Sequence, residues 1–214
     1  MDESTAEARA VAVGLKERIQ SLDDESLDLI FREARTFRGW QARDVSEETL
    51  RELWALARLG PTSGNCCPGR VVFVKSEEAK ARLKPALDKG NVEKTMAAPV
   101  CAIVGHNLTF YKDMAWLAPF MTGAEKIFGG NPALAEATAF RNGALQGAYL
   151  MIAARALGLD CGPMSGFDNS LVDETFFAGS EMRSNFLCNL GYGDAESLHA
   201  RGPRHDFDQA CRIL

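Results

Sequence analysis

The chain has 214 residues, 46% of them hydrophobic and 25% charged, enough for one sizeable core or two small ones. A formal net charge of -5 and the lack of any Lys/Arg-dense run argue against a nucleic-acid binder, which needs a basic face for phosphate. No apolar run approaches the roughly 20 residues of a membrane span, and the start, MDESTAEARA, is acidic and polar rather than a signal peptide, so a single cytoplasmic domain over residues 1–214 is expected.

Residues 1–20, rich in Ala, Glu and Arg, read as a loose helix or flexible arm. Apolar residues at Leu22, Leu27, Leu29, Ile30 and Phe31 then lead into REARTFRGW (32–40), where helical character fades into a polar turn. Arg32, Arg35 and Arg38 fall three apart. On a continuing helix they share a solvated face; at a helix end beside Thr36 they can instead grip an anion. Ser46 caps a helix with Glu47 and Glu48 in its first turn, where the macrodipole favours acid, and with Leu50, Leu53, Trp54 and Ala57 on its apolar face.

Gly60 and Pro61 stop that helix and open GPTSGNCCPGR (60–70), whose three Gly and two Pro forbid a regular element. Thr62, Ser63 and Asn65 put short polar side chains on this constrained backbone, which suits either a well-made turn or a loop that holds a flat polar ligand. Val71–Val74 reads as a buried strand, Ser76 caps a helix ending near Leu87, and Pro99–Val104 is a second apolar run of strand length. Residues 105–130 have no clean period; Tyr111, Trp116, Phe120 and Phe128 among Gly and Pro suggest short helices and loops with aromatics that either form a partly exposed cover or pack in the core.

Asn131 followed by Pro132 starts a long helix. From Ala144 to Leu157 it is apolar almost all round, so burial on all sides is expected, at the centre of the core, of an oligomer interface, or both. Gly158 ends it. Cys161–Asp168 reads as a second polar turn, Asn169–Phe177 as a short helix, Asn185–Leu190 as a strand, and Gly191–Leu214 as a loop carrying His199, Arg201, Arg204 and His205 before a last short element. Helices dominate and the strands are too few and too widely spaced for a doubly wound sheet, which makes the chain α+β.

Several chemistries are absent from the pattern. There is no G-x-G-x-x-G, no G-x-x-x-x-G-K-[ST], no H-E-x-x-H and no nucleophile elbow. Six cysteines, at 66, 67, 101, 161, 188 and 211, contain no C-x-x-C pair, and histidines at 106, 199 and 205 have no spacing that suggests a metal cage. Cys66 or Cys67 with a distant histidine could form a nucleophilic pair, although packed thiols explain them more simply. No catalytic acid, base or nucleophile stands out, so the hard step belongs to a cofactor.

In order, REARTFRGW, GPTSGNCCPGR, AFRNGALQGAYLMIAARALGLD (139–160), CGPMSGFD (161–168) and NLGYGD (189–194) with a late arginine resemble the FMN-dependent nitroreductase family. The likeness runs from about Ser26 to Leu214 and is strongest to the subgroup typified by the malonic semialdehyde reductase of bacterial pyrimidine utilisation. It implies an α+β fold in which helices, among them a long buried core helix, surround a central mixed or antiparallel sheet, and an interlocked homodimer with FMN at the subunit interface. It also implies an NAD(P)H-dependent flavin oxidoreductase in which NADH or NADPH and then a small acceptor use one open flavin face in turn.

Carried over residue by residue, the likeness gives Arg35, Thr36 and Arg38 to the FMN phosphate and flavin edge. Pro61, Thr62, Ser63 and Asn65 pack on the isoalloxazine, Met164, Ser165 and Gly166 pass its N5, and Arg201 supplies a second phosphate ligand. No side chain is expected to be catalytic and no metal is expected. Phe120, Phe128 and Arg141 are candidate substrate residues, the arginine for the acid end of malonic semialdehyde or a related aldehyde acid; a general nitroreductase or quinone reductase and a flavin-binding protein without turnover are the alternatives. Two positions depart from the family pattern: Ala34 where many members have a basic residue, and Cys67-Pro68-Gly69 where they have Gln-Pro-Trp.

Overall fold

A computed structural model describes residues 3–214, and the chain divides between Ala34 and Arg35 into two units. Met1 and Asp2, the start of the expected arm, lie outside the described residues. In the first unit, helix α1 (Glu3–Arg18) leaves Val11, Val13 and Leu15 exposed. Helix α2 (Asp24–Leu27) begins where the Asp23 carboxylate accepts the Ser26 N–H at 2.8 Å, and a π-helical turn, Asp28–Arg32, follows it. The helix stops at Arg32, which pairs with Asp24 at 2.8 Å and Asp28 at 3.2 Å, so the three arginines do not share one helical face.

The second unit is built on an antiparallel sheet in the order β1-β2-β4-β3. Helix α3 (Glu47–Ala57) is capped by Ser46 and buries Leu50, Leu53 and Ala57 as the pattern requires. Strand β1 (Gly69–Val74) is an edge strand with a half-buried middle, not the fully buried strand its β-branched run suggests, because it pairs with β2 alone. Ser76 caps α4 (Glu77–Leu83), and α5 (Lys89–Ala97) precedes β2 (Val100–Asn107), the buried centre of the sheet.

Along β2 the side chains alternate between two cores, as a strand's period of two demands. Val100, Ala102 and Val104 face a cluster with Val45, Leu53, Leu150 and Ala154, whereas Cys101 and Ile103 face Leu83, Val172, Phe177 and Leu187. Helices α6 (Met114–Leu117) and α7 (Ala124–Gly129) enclose a third, smaller cluster around Phe110, Met114 and Ala139.

Helix α8 (Pro132–Ala156) starts as expected: Asn131 caps it by accepting the Leu134 N–H at 3.1 Å. Its small residues let it lie close on the sheet; a Cβ on Gly147 would sit 2.5 Å from the Phe186 ring. Within the chain it is buried on one face only, and Phe140 and Leu145 are exposed outside that face, so the expectation of burial on all sides is not met by a single subunit. Gly158, at φ 76°, takes the left-handed conformation that ends the helix.

The second polar turn is in fact a strand: β3 (Asp160–Met164) pairs with β4 (Met182–Gly191), with Cys161 opposite Leu190 and Met164 opposite Leu187. Pro163 obscured it, yet an edge strand tolerates a proline because one side of the strand has no partner strand to donate to. Helix α9 (Asn169–Phe176), capped by Asp168, and a terminal turn, α10 (Phe207–Ala210), complete the chain.

Candidate functional site

The residues after Arg35 run beside β3. Thr36 bridges Cys161 in parallel, and the Phe37 N–H donates to the Cys161 carbonyl at 3.1 Å. Gly162 permits that approach, since a Cβ there would lie 2.8 Å from the Phe37 carbonyl oxygen. Cations collect at this end. The Arg35 guanidinium donates to the His199 carbonyl, which brings the tail bearing Arg201 alongside. Lys94, on α5, lies below the usual lysine value because of partial burial first and the charge of Arg38 second. Two cations close enough to repel, one of them partly desolvated, form the donor set a phosphate would neutralise.

At the other end of β3 stand Met164, Ser165 and Gly166. From Cys161 to Met164 is three residues, about 10 Å of strand, a distance that suits a ribityl chain between ring and phosphate. Met164 accepts the Thr95 hydroxyl at its sulfur (3.5 Å), and the Gly166 carbonyl accepts the Asn91 amide at 2.6 Å and the Asp88 N–H at 3.1 Å. A Cβ on Gly166 would lie 2.6 Å from Asn91 Nδ2 and 2.7 Å from Asp88 Oδ2, so the turn is closed to other residues at that point. Ser165 is exposed, and beside it Met151, Pro163, Met164 and Phe186 line a cleft of about 330 Å³. An apolar cleft at one end and a cationic patch at the other fit the two ends of a flavin mononucleotide. Larger clefts of 740 and 710 Å³ contain none of the expected site residues.

The loop before β1 is held both by its own residues and by a neighbouring helix. Thr62 Oγ1 accepts the Cys67 N–H at 3.1 Å, Asn65 donates its amide to the Leu117 carbonyl at 2.7 Å, and Asn65 Oδ1 accepts from the Cys67 thiol at 3.3 Å. The Asn65 side chain is therefore held inside the subunit, with one amide N–H left over on an exposed residue. Pro61 and Ser63 are exposed. Cys66 is buried and its thiol is pushed up to about 11 by burial, which rules out a ready thiolate.

Thr36 and Met164–Gly166 thus lie at the two ends of β3, while the Pro61–Asn65 loop leads into β1 at the opposite edge, three strand spacings or about 14 Å away. Phe120 is 74% exposed, Arg141 is exposed on α8, and Phe128 packs edge-on against buried Phe110 with ring centroids 5.0 Å apart. Sequence reasoning missed Lys94, which lies 56 positions from Arg38 on a helix it did not place, and it missed the two buried amides of α8, Asn142 and Gln146. Polar residues within an apolar helical run were the available signal for the last two.

Residues 31–192 match the model of the nitroreductase family. A protein of Cupriavidus pinatubonensis, provisionally named NADH dehydrogenase/NAD(P)H nitroreductase, is 55% identical over 192 residues, covering 89% of this chain and 98% of that protein. One of Burkholderia lata with the same provisional name is 57% identical over 193 residues, covering 90% and 98%. Among solved structures, the nitroreductase YdfN of Bacillus subtilis superposes with a TM-score of 0.79 at 20% identity, covering 89% of this chain and 99% of that one. A nitroreductase of Exiguobacterium sibiricum in complex with FMN gives 0.76 at 20% identity, with 91% and 98% covered. The chain belongs to the nitroreductase family.

Proposed function

We propose that the protein is an FMN-dependent oxidoreductase of the cytoplasm, where NADH or NADPH is at hand, and that its favoured acceptor is malonic semialdehyde or a related short aldehyde acid. The observation that carries the reading is β3, with converging cations at its start and an apolar cleft beside Ser165 at its end, about a ribityl length apart. The names of the relatives, and the FMN in the Exiguobacterium structure, support the cofactor and the nicotinamide donor.

When bound, FMN supplies a ring that takes a hydride from NAD(P)H and delivers it to an acceptor. The chain contributes position and charge. Arg35, Thr36, Arg38 and Lys94, with Arg201 from the tail, hold the phosphate. Met164, Ser165 and Gly166 line the ring, and the exposed Ser165 hydroxyl donates to the substrate oxygen on which negative charge develops. Arg141 offers a cation for the acid end of the substrate, and exposed Phe120 covers the open face. Phe128, packed on Phe110, supports that cover from beneath.

A homodimer completes the site. The Pro61–Asn65 loop and β3 occupy opposite edges of one sheet, so a second subunit brings the loop of one chain to the β3 of the other. The exposed apolar residues Phe140 and Leu145 of α8 provide a surface for that association. The exposed Trp116 and Phe120 also favour flat hydrophobic acceptors, which keeps nitroaromatics and quinones as secondary substrates.

The test is an anaerobic titration of FMN-loaded protein with NADH and NADPH, followed by addition of acceptor. Bleaching by a nicotinamide and return of the flavin bands on adding malonic semialdehyde are expected, and Arg141→Ala should raise KM for the aldehyde acid while leaving nitroaromatic reduction nearly unchanged. Reoxidation by nitroaromatics but not by malonic semialdehyde would refute the acceptor. A protein that stays colourless after incubation with excess FMN would refute the whole reading.

A further inference from the structure

We infer that Asn142 and Gln146, two buried amides one turn apart on α8, are positioning residues that fix the Pro61–Asn65 loop in its flavin-facing conformation. The inference rests on the loop's proposed place against FMN.

Asn142 is 1% exposed and Gln146 4%. Asn142 Oδ1 accepts the Ser63 backbone N–H at 2.8 Å, and Gln146 Oε1 accepts the Gly69 backbone N–H at 2.6 Å. The Asn142 amide nitrogen is spent on the Thr138 carbonyl at 2.8 Å, which fixes the orientation that presents oxygen to Ser63. One turn beyond Gln146, the Tyr149 ring lies where a Cβ on Gly60 would be, 2.5 Å from its Cγ. Residues 142, 146 and 149 form one stripe at helical spacing, and along it α8 grips the loop in its middle and at both ends.

The loop needs such a grip. Gly64 and Asn65 both have φ 54° and Cys67 has φ 38°, so two residues with side chains sit in the left-handed region. Conformations of this kind persist where surrounding structure over-determines them, and they gather at sites that clamp ligands. The loop's other side-chain bonds, Cys67 N–H to Thr62 within it and the Asn65 amide to Leu117 on α6, shape it but do not tie it to the sheet. Asn142 and Gln146 do, because α8 packs directly on β2 and β4 through Gly143 and Gly147. An amide buried in an otherwise apolar helix is costly unless hydrogen-bonded, and both of these accept a loop N–H. Ser63, next to Thr62 and two residues before Asn65, would then be set in register with the ring by Asn142.

The experiment titrates FMN into flavin-free wild type, Asn142→Leu, Asn142→Asp and Gln146→Met, following flavin fluorescence, the visible bands and the midpoint potential, with thermal unfolding in parallel. Asn142→Leu should weaken FMN at least tenfold and shift both the bands and the potential, and Gln146→Met should do the same to a smaller degree. Asn142→Asp keeps an acceptor for Ser63. At acidic pH its buried carboxyl is protonated and also donates to Thr138, so its affinity relative to wild type at the same pH should recover there and fall as pH rises. If Asn142→Leu does not fold, this pH-dependent rescue decides the matter, and its absence counts against the inference. Variants that melt earlier but keep wild-type affinity, bands and potential would reduce both amides to structural residues and overturn it. A wild type that takes up no FMN would instead remove the flavin reading on which it stands.

Discussion

Replacing Lys94 with methionine should move stability and FMN affinity in opposite directions. In the folded protein the ammonium is partly buried and lies near Arg38, and both effects lower its proton affinity. Folding therefore disfavours the charged form, and the methionine variant, which keeps the apolar stem, should be slightly more stable than wild type without flavin. A base lowered in the folded state carries its penalty in full below its folded value and loses it as pH rises to the ordinary lysine value of 10.5, so the variant's advantage should be present near pH 7 and fade as pH rises toward 10.5. If the same ammonium meets the FMN phosphate, its loss removes a charged hydrogen bond worth about 1.5 to 3 kcal/mol, or about 10- to 150-fold in affinity. Partial solvent screening places the expectation toward the lower figure. Urea unfolding of the flavin-free proteins measures the first effect, and fluorescence titration with FMN measures the second. Riboflavin, which lacks the phosphate, is the control and should bind both proteins alike. Equal FMN affinity in the two proteins, or equal losses for FMN and riboflavin, would refute the phosphate role; a flavin-free variant less stable than wild type would refute the electrostatic reasoning.

Three other outcomes are expected. Arg35→Ala should weaken FMN by about 1.5 to 3 kcal/mol, and an unchanged titration would remove that residue from the phosphate site. Leu145→Arg puts a charge on the exposed apolar face of α8 and should convert a dimer to monomer in light scattering, so a dimer unaffected by it must use another surface. In a thiol-reagent assay at pH 8, exposed Cys211 should react at once, whereas Cys66, held up to about 11, and Cys101, up to about 12, should react only on unfolding; prompt reaction of Cys66 would show that the loop opens.

Short-range chemistry along the chain set several helix starts. Ser46, Ser76, Asn131 and Asp168 are capping residues whose side chains bond the third residue onward, so α3, α4, α8 and α9 begin at or within a residue of where short-range chemistry dictates. The five flavin-family motifs were legible for the same reason, because each is a contiguous run. Only the tertiary structure decided which of them meet. Thr36 and Cys161 are 125 positions apart, and nothing local places them on one strand edge or sends Pro61–Asn65 to the other. β3 was hidden because a Gly-Pro pair mimics a turn until a partner strand supplies its hydrogen bonds on one side. Lys94 joins Arg38, and Asn142 joins Ser63, through long-range packing whose loop-closure entropy the whole core must offset, and neither residue's local pattern names its partner.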